Sequence, residues 1–162
     1  MRKIILYISS TVLMALIGFL TADSFMEFSF KLINLARVSL VVDSIKDQFN
    51  QNLIFSFCLG ICPLLIFLIK KLGRIKTINQ TIASVNTMLI FGVLFWASRL
   101  LFMKMVFDWA WDTPQEHFDL PIGFMEFYEF FGYGITTGAL LALIIFRFKN
   151  KVIKQENILD HN

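Results

Sequence analysis

The side chains whose types could do chemistry are concentrated in residues 107–130, FDWAWDTPQEHFDLPIGFMEFYEF, which contain six carboxylates, eight aromatic rings and no lysine or arginine. His117 follows Glu116 and stands two residues before Asp119. Imidazole and carboxylate groups are protein ligands of divalent metals. Their spacing within one short segment has little specificity, however, so we interpret the segment as a solvated loop without a metal site.

Enzyme motifs are absent from the sequence, which has no H-E-x-x-H, no G-x-S-x-G and no phosphate-binding glycine loop. The second histidine, His161, lies in the C-terminal tail. Cys58 and Cys62 are four residues apart, which places both on one helix face but does not make a C-x-x-C redox pair, so we interpret them as apolar filler. We therefore expect a non-enzymatic protein with no catalytic residue and no cofactor.

The elements that must position these residues are four long apolar runs. The chain is 57% hydrophobic, against roughly 45–50% for soluble domains. No charge interrupts residues 4–22, 53–69, 81–98 or 130–146, and a helix needs roughly 17–25 apolar residues to cross a bilayer. We predict an all-α fold: one membrane domain, 1–162, built as a four-helix transmembrane bundle with spans at about 4–22, 53–69, 81–101 and 130–147.

The first run has an alternative interpretation as a signal peptide, because Arg2 and Lys3 precede it. Its apolar stretch exceeds the roughly 7–15 residues of such peptides, and the residues that end it make a poor cleavage site. An uncleaved first span is the interpretation that we adopt.

Positive charge predicts the orientation. Ten of the 15 lysine and arginine residues lie before the first span, between the second and third, or after the fourth. Lys31, Arg37, Lys46 and Lys104 lie on the other side. Because positive charge near span ends stays in the cytoplasm, we predict a multi-pass protein with both termini, and the tail 148–162, cytoplasmic. The short loops fit a protein of the bacterial inner membrane.

The short basic loop between the second and third spans is a candidate cytoplasmic contact. It carries Lys70, Lys71, Arg74 and Lys76. These charges suit anionic lipid headgroups or an acidic cytoplasmic partner, although the orientation signal alone also explains them.

The predicted outer segment that follows the first span has the pattern of an amphipathic helix over about residues 24–49. It has no glycine or proline, and Glu27, Lys31 and Asn34 follow helical spacing. Such a helix would lie on the outer face and shield the ends of the spans, or it would bind a partner or act as a gate.

Small residues predict where helices pack closely. Gly134 and Gly138 form a G-x-x-x-G pair in the fourth span, and Gly18 and Ala22 share a face of the first span. The spacing leaves open whether these contacts form within one chain or between copies. The small size of the unit leads us to expect a homo-oligomer.

Arg99 lies near the end of the third span, and three roles are open for it. It snorkels to lipid headgroups, it pairs with an outer carboxylate such as Asp108, Glu126 or Glu129, or it lines an anion path. The candidate outer charge cluster comprises Arg99, Asp108, Asp112, Glu116, Asp119, Glu126 and Glu129.

The aromatic residues beside this cluster predict an interfacial belt. Its predicted members are Trp109, Trp111, Tyr128 and Tyr133. The excess of acid leads us to expect that the segment pairs partly with Arg99 and Lys104 or meets a basic ligand outside.

Taken as a whole, this architecture resembles two families of small bacterial membrane proteins. One is the immunity proteins against pore-forming colicins, and the other is the membrane subunit of the Kiwa antiphage system. The second resemblance implies a sensor of envelope events that signals to a cytoplasmic DNA-binding partner and does not itself bind nucleic acid. Neither resemblance carries a diagnostic motif, so no functional residue is transferred. The remaining alternative is an oligomeric channel or pore-forming effector.

Overall fold

The computed structural model describes residues 2–33, 38–41, 45–111, 118–121 and 126–159. Within them the chain forms four long helices and one pair of short strands. In chain order the elements are α1 (Arg2–Ile33), β1 (Val38–Val41), α2 (Ile45–Leu72), α3 (Ile78–Trp111), β2 (Phe118–Pro121) and α4 (Phe127–Leu159).

Each long helix contains a stretch that is long and apolar enough to cross a membrane. The stretches are Ile4–Ile33, Gln48–Leu72, Ile78–Val106 and Phe127–Asn150. The shortest has 24 residues, which is about 36 Å of helix at 1.5 Å per residue, against a hydrocarbon core of about 30 Å. The prediction of four long apolar helices is therefore confirmed, and the helices extend beyond the predicted spans.

The structure does not show the separate outer amphipathic helix predicted for residues 24–49. Residues 24–33 instead continue α1, Val38–Val41 form β1, and α2 begins at Ile45. The helical pattern at Glu27 and Lys31 is real, but no glycine or proline ends α1 before it, so the first helix simply continues. The strand is favoured by a β-branched, apolar sequence, VSLV.

The two strands connect the two loops that lie at the same end of the helices. β1 pairs with β2 in parallel, from Val38 opposite Phe118 to Val41 opposite Pro121. Proline lacks a backbone donor and is tolerated at the end of a strand. The pair links the α1–α2 connection to the α3–α4 connection, which sequence periodicity did not predict.

The helices pack in the spatial order α1, α2, α4, α3. The closest pairs are α1 with α2 and α3 with α4, and α2 also packs on α4. Large apolar side chains remain exposed on all four helices. In a bilayer such faces lie against acyl chains, and the helices associate through close packing and buried polar contacts.

Glycines set the closest helix approaches. A Cβ on Gly138 would lie 2.7 Å from the Cα of Met88, and one on Gly134 would overlap the Phe91 carbonyl. On the other side of the bundle, a Cβ on Gly18 would lie 2.9 Å from the Cα of Ser56. The small-residue faces are therefore occupied by helices of the same chain.

Candidate functional site

The bundle has an acidic end and a basic end. At the acidic end, α1 and α3 finish and α2 and α4 begin, so Asp23, Glu27 and Glu126 lie there. The basic end holds the turn between α2 and α3, with Lys70 and Lys76, and the later part of α4. The two ends differ in chemistry, so we describe the acidic end first.

Arg99 on α3 forms an ion pair with Glu126, the residue before α4. Its Nη2 lies 3.2 Å from the Glu126 Oε2, and the two side chains are 10% and 50% exposed. The guanidinium carbon also lies 5.1 Å from the ring centre of Phe130 and 5.5 Å from that of Phe102. Ring faces attract cations, so Arg99 ties α3 to the start of α4 by charge and by aromatic contacts.

Glu126 reaches Arg99 from a backbone conformation that is uncommon for its residue type. Its φ is 49°, in the left-handed region that costs a non-glycine residue about 1 kcal/mol or more. Its carbonyl accepts the backbone N–H of Phe130 at 3.1 Å, which closes the first turn of α4. Glu126 therefore both begins the helix and supplies the carboxylate for Arg99.

Below the ion pair, five rings form an aromatic cluster that joins all four helices. Its members are Phe25, Phe55, Trp96, Tyr128 and Phe131. Phe25 is the centre, with its ring centroid 4.7 Å from that of Phe55 and 5.5–5.9 Å from the other three. These separations lie in the range of favourable aromatic pairs, roughly 4.5–7 Å.

Polar atoms of the cluster are paired inside the bundle. The Tyr128 hydroxyl donates to the Ala22 carbonyl at 2.8 Å, and the Trp96 Nε1 donates to the Ser29 Oγ at 3.0 Å. The prediction that Tyr128 belongs to an interfacial belt is therefore wrong, because its side chain is buried and its hydroxyl satisfied by α1. Tyr133 is exposed, while the side chains of Trp109 and Trp111 lie outside the described residues.

Beside the cluster is a small polar pocket of about 270 Å³ between α1, α2 and Tyr128. The Gln48 Nε2 donates to the Asp23 Oδ1 at 3.4 Å across it. The side-chain oxygens of Gln51 and Asn52 are buried and accept no hydrogen bond from the described residues. Buried acceptors of this kind are costly unless they are matched.

Besides Glu126, the predicted outer charge cluster has five further acidic members, and they differ in where they lie. Asp108 is exposed on α3. Glu129 is half-buried on α4, with an Oε2 that accepts no hydrogen bond from the described residues. Asp112 and Glu116 lie outside those residues, as does the side chain of Asp119, whose backbone pairs with Ser39.

The aromatic cluster is the part of the site that sequence reasoning missed. The chain has 19 phenylalanines, and nothing in the pattern distinguishes Phe25 or Phe55 from lipid-facing rings. Trp96 carried a usable signal, because an indole N–H within an apolar span needs a buried acceptor. Ser29, at the far end of α1, supplies that acceptor.

The chain has four helices that are long and apolar enough to cross a membrane. Its fold and composition are therefore those of a multi-pass membrane protein. No protein-family model, curated protein or solved structure matches the chain. In the part of the chain that the structure describes, no group of three histidine, cysteine, aspartate or glutamate side chains could hold a metal ion; His117 and Glu116 lie outside that part.

Proposed function

We propose that this chain is a non-enzymatic protein of the bacterial inner membrane that senses an event at the outer face and passes it to a cytoplasmic partner. In this proposal the acidic end faces outward and the basic end faces the cytoplasm, as expected from the distribution of lysine and arginine. The chain itself would contact lipid, further copies of itself and the partner protein, but no nucleic acid.

The observation that carries the proposal is the continuity of α4. This helix runs for 33 residues from Phe127 to Leu159, which is about 50 Å at 1.5 Å per residue. It starts beside Glu126 in the ion pair and continues past Asn150, the last residue of its apolar stretch. A single rigid element therefore connects the acidic end to a segment that extends beyond the opposite end of the bundle.

The contacts of Asn150 couple α4 to the basic turn. The Asn150 Nδ2 donates to the carbonyl of Gly73 at 2.7 Å, and its Oδ1 accepts from the Gln80 Nε2 at 3.3 Å. A displacement of α4 would therefore move the segment that presents Lys70, Lys71, Arg74 and Lys76, our candidate contact with the partner. A switch needs an element with two arrangements, and release of Arg99 from Glu126 is the change we propose.

The antiphage role in this proposal rests on the architectural resemblance to the Kiwa membrane subunit. The partner would then be a cytoplasmic DNA-binding protein. Its contact with this chain would lie on the basic turn and on residues 148–162, which include Lys149, Lys151 and Lys154.

In the channel alternative, Arg99 and the glycines of the fourth span, Gly134 and Gly138, would line or gate a path through an oligomer. In the structure Arg99 is paired with Glu126, and both glycines contact α3 of the same chain. These contacts weigh against the alternative, because lining a pore would require those groups to leave their present partners. A colicin-immunity role differs from the proposed one in needing no cytoplasmic partner.

Phage protection, measured as efficiency of plating, tests the proposal. The full chain is expressed in a phage-sensitive strain with and without the gene adjacent to its own, together with a variant that ends at Asn150. We expect protection only when the adjacent gene and residues 151–162 are both present, with equal amounts of each chain in the membrane.

Three results would count against the proposal. Protection by the truncated chain would remove the role of the α4 extension. Protection against a single colicin without any partner gene would favour the immunity role. Robust single-channel currents from purified protein in planar bilayers would favour the channel.

A further inference from the structure

A groove of about 650 Å³ lies at the basic end, within the roughly 300–1,000 Å³ typical of sites for small molecules. Its walls come from the first turns of α1, the end of α2, the turn 73–77 and the start of α3. The residues that matter for its chemistry are Lys70, Lys71, Lys76, Tyr7, Phe67 and Ile78.

The groove exists because α1 and α3 meet at one end and separate at the other. At the acidic end, Trp96 on α3 contacts Phe25, Phe28 and Ser29 on α1. At the basic end the groove lies between the two helices. Its rim residues Leu6 and Ile78 are 65% and 78% exposed, so the groove opens sideways, and in a bilayer that side would face the acyl chains.

The charge of the groove has one sign. Ten of the described residues line the groove; three of these are lysines and none of the ten is acidic. The N-terminus of α3 also borders the groove at Thr77, whose Oγ1 accepts the backbone N–H of Gln80 at 3.4 Å. The positive end of a helix dipole favours anions, and here it reinforces the lysines.

The turn 73–77, which contains Lys76 and directly follows the end of α2 with Lys70 and Lys71, is held in place from its other side. Besides Asn150, which binds the carbonyl of Gly73, the Gly73 N–H donates to the Ile69 carbonyl at 2.8 Å and the Ile75 N–H donates to the Lys70 carbonyl at 3.2 Å. The backbone of the turn is therefore ordered before any ligand arrives, which lowers the entropy cost of binding.

We propose that this groove binds an anionic glycerophospholipid. Its phosphate would lie among Lys70, Lys71 and Lys76, and one acyl chain would lie along Tyr7, Phe67 and Ile78. Apolar walls that open sideways beside a cluster of lysines at the membrane boundary match the amphipathic shape of a phospholipid. A free phosphate would use only the basic part of the site. The lipid would share Lys70, Lys71 and Lys76 with the partner contact of the sensor proposal, but its binding requires only that the chain spans a membrane.

The test compares lipid retention by matched variants. The full chain is reconstituted in nanodiscs of phosphatidylcholine with a minor fraction of phosphatidylglycerol, released in detergent, and examined for bound lipid by native mass spectrometry. The groove variant is Lys70→Gln with Lys76→Gln. The control is Arg147→Gln with Lys149→Gln, which removes two positive charges from α4 at the same end. We expect the groove variant to retain about tenfold less phosphatidylglycerol and the control to match the parent.

A second variant avoids any change of charge. Thr81→Phe places a ring into the groove from α3 and is expected to displace the lipid while all three lysines remain. Millimolar inorganic phosphate is expected to displace nothing. Each of four results would overturn the proposal. The groove and control charge variants would lose equal amounts of phosphatidylglycerol, or the parent would retain phosphatidylcholine as well as phosphatidylglycerol. Alternatively, Thr81→Phe would retain the lipid in full, or inorganic phosphate would displace it.

Discussion

The hydroxyl of Tyr128 on α4 donates a 2.8 Å hydrogen bond to the backbone carbonyl of Ala22 on α1, and both residues are buried. The residues are 106 positions apart, and α1 and α4 are not neighbours in the order of packing. This bond and the aromatic cluster around it therefore hold the first helix to the last at the acidic end.

Replacement of Tyr128 by phenylalanine tests that bond while keeping the ring in the cluster. We expect Tyr128→Phe to lower the free energy of unfolding by roughly 0.5–1.5 kcal/mol, as for other hydrogen bonds between membrane helices. Thermal unfolding in detergent measures the change. Tyr133→Phe is the control, because Tyr133 is exposed; an equal loss in both variants would argue that the Ala22 contact contributes nothing.

The centre of the aromatic cluster is expected to be the most sensitive position of the bundle. Phe25→Ala removes contacts with four other rings, and the cost of such truncations in packed cores is about 3 kcal/mol or more. Phe57→Ala, on an exposed face of α2, is the control and should change stability by less than about 1 kcal/mol. Similar melting temperatures for the two variants would mean that the cluster does not organise the fold.

The ion pair between Arg99 and Glu126 is best tested by a double-mutant cycle. Arg99→Gln removes the ion pair and the contacts with Phe102 and Phe130, whereas Glu126→Gln removes only the ion pair. We expect the arginine variant to lose more stability, with a coupling energy of about 0.5–1 kcal/mol, since Glu126 is half exposed. Strictly additive losses in the double variant would show that the pair does not join α3 to α4.

Because α3 and α4 approach closely, we expect that adding a single methyl group at either of two α4 glycines lowers the stability of the bundle. Gly134→Ala and Gly138→Ala would each place a Cβ against the α3 backbone, and we expect each to cost about 1–3 kcal/mol. Alanine normally favours a helix relative to glycine by about 1 kcal/mol, so an observed loss must come from packing. Leu140→Ala on the exposed face of the same helix is the control in the same unfolding measurement.

The acidic loop is expected to matter for function rather than for stability. Asp112→Asn, Glu116→Gln and Asp119→Asn together remove three charges from the predicted outer face, and we expect phage protection to fall while the melting temperature stays within about 2 °C. Asp112→Glu with Glu116→Asp and Asp119→Glu, which keeps all three charges in the same loop, is the matched control. Unchanged protection would reduce the loop to a turn between α3 and α4.

Part of this fold is predictable from one sequence for a simple physical reason. A bilayer contains no water to hydrogen-bond a polar backbone, so a long uncharged run must form a helix, and four such runs predict four helices. The same reasoning failed for residues 24–49, where helical spacing was correct but was assigned to a separate helix. Periodicity alone does not show that α1 continues to Ile33, nor that Val38–Val41 pairs with a strand 80 residues later.

The sequence by itself determined the number of long helices, the concentration of acid in one segment and the small residues capable of close packing. The tertiary structure decided which partner each residue has: Glu126 for Arg99, the Ala22 carbonyl for Tyr128, and α3 for Gly134 and Gly138. Helices that are apolar on every side show little periodic difference between faces, so their sequence does not indicate which face meets another helix. Those pairings depend on complementary shapes and polar groups that only the packed bundle brings within contact distance.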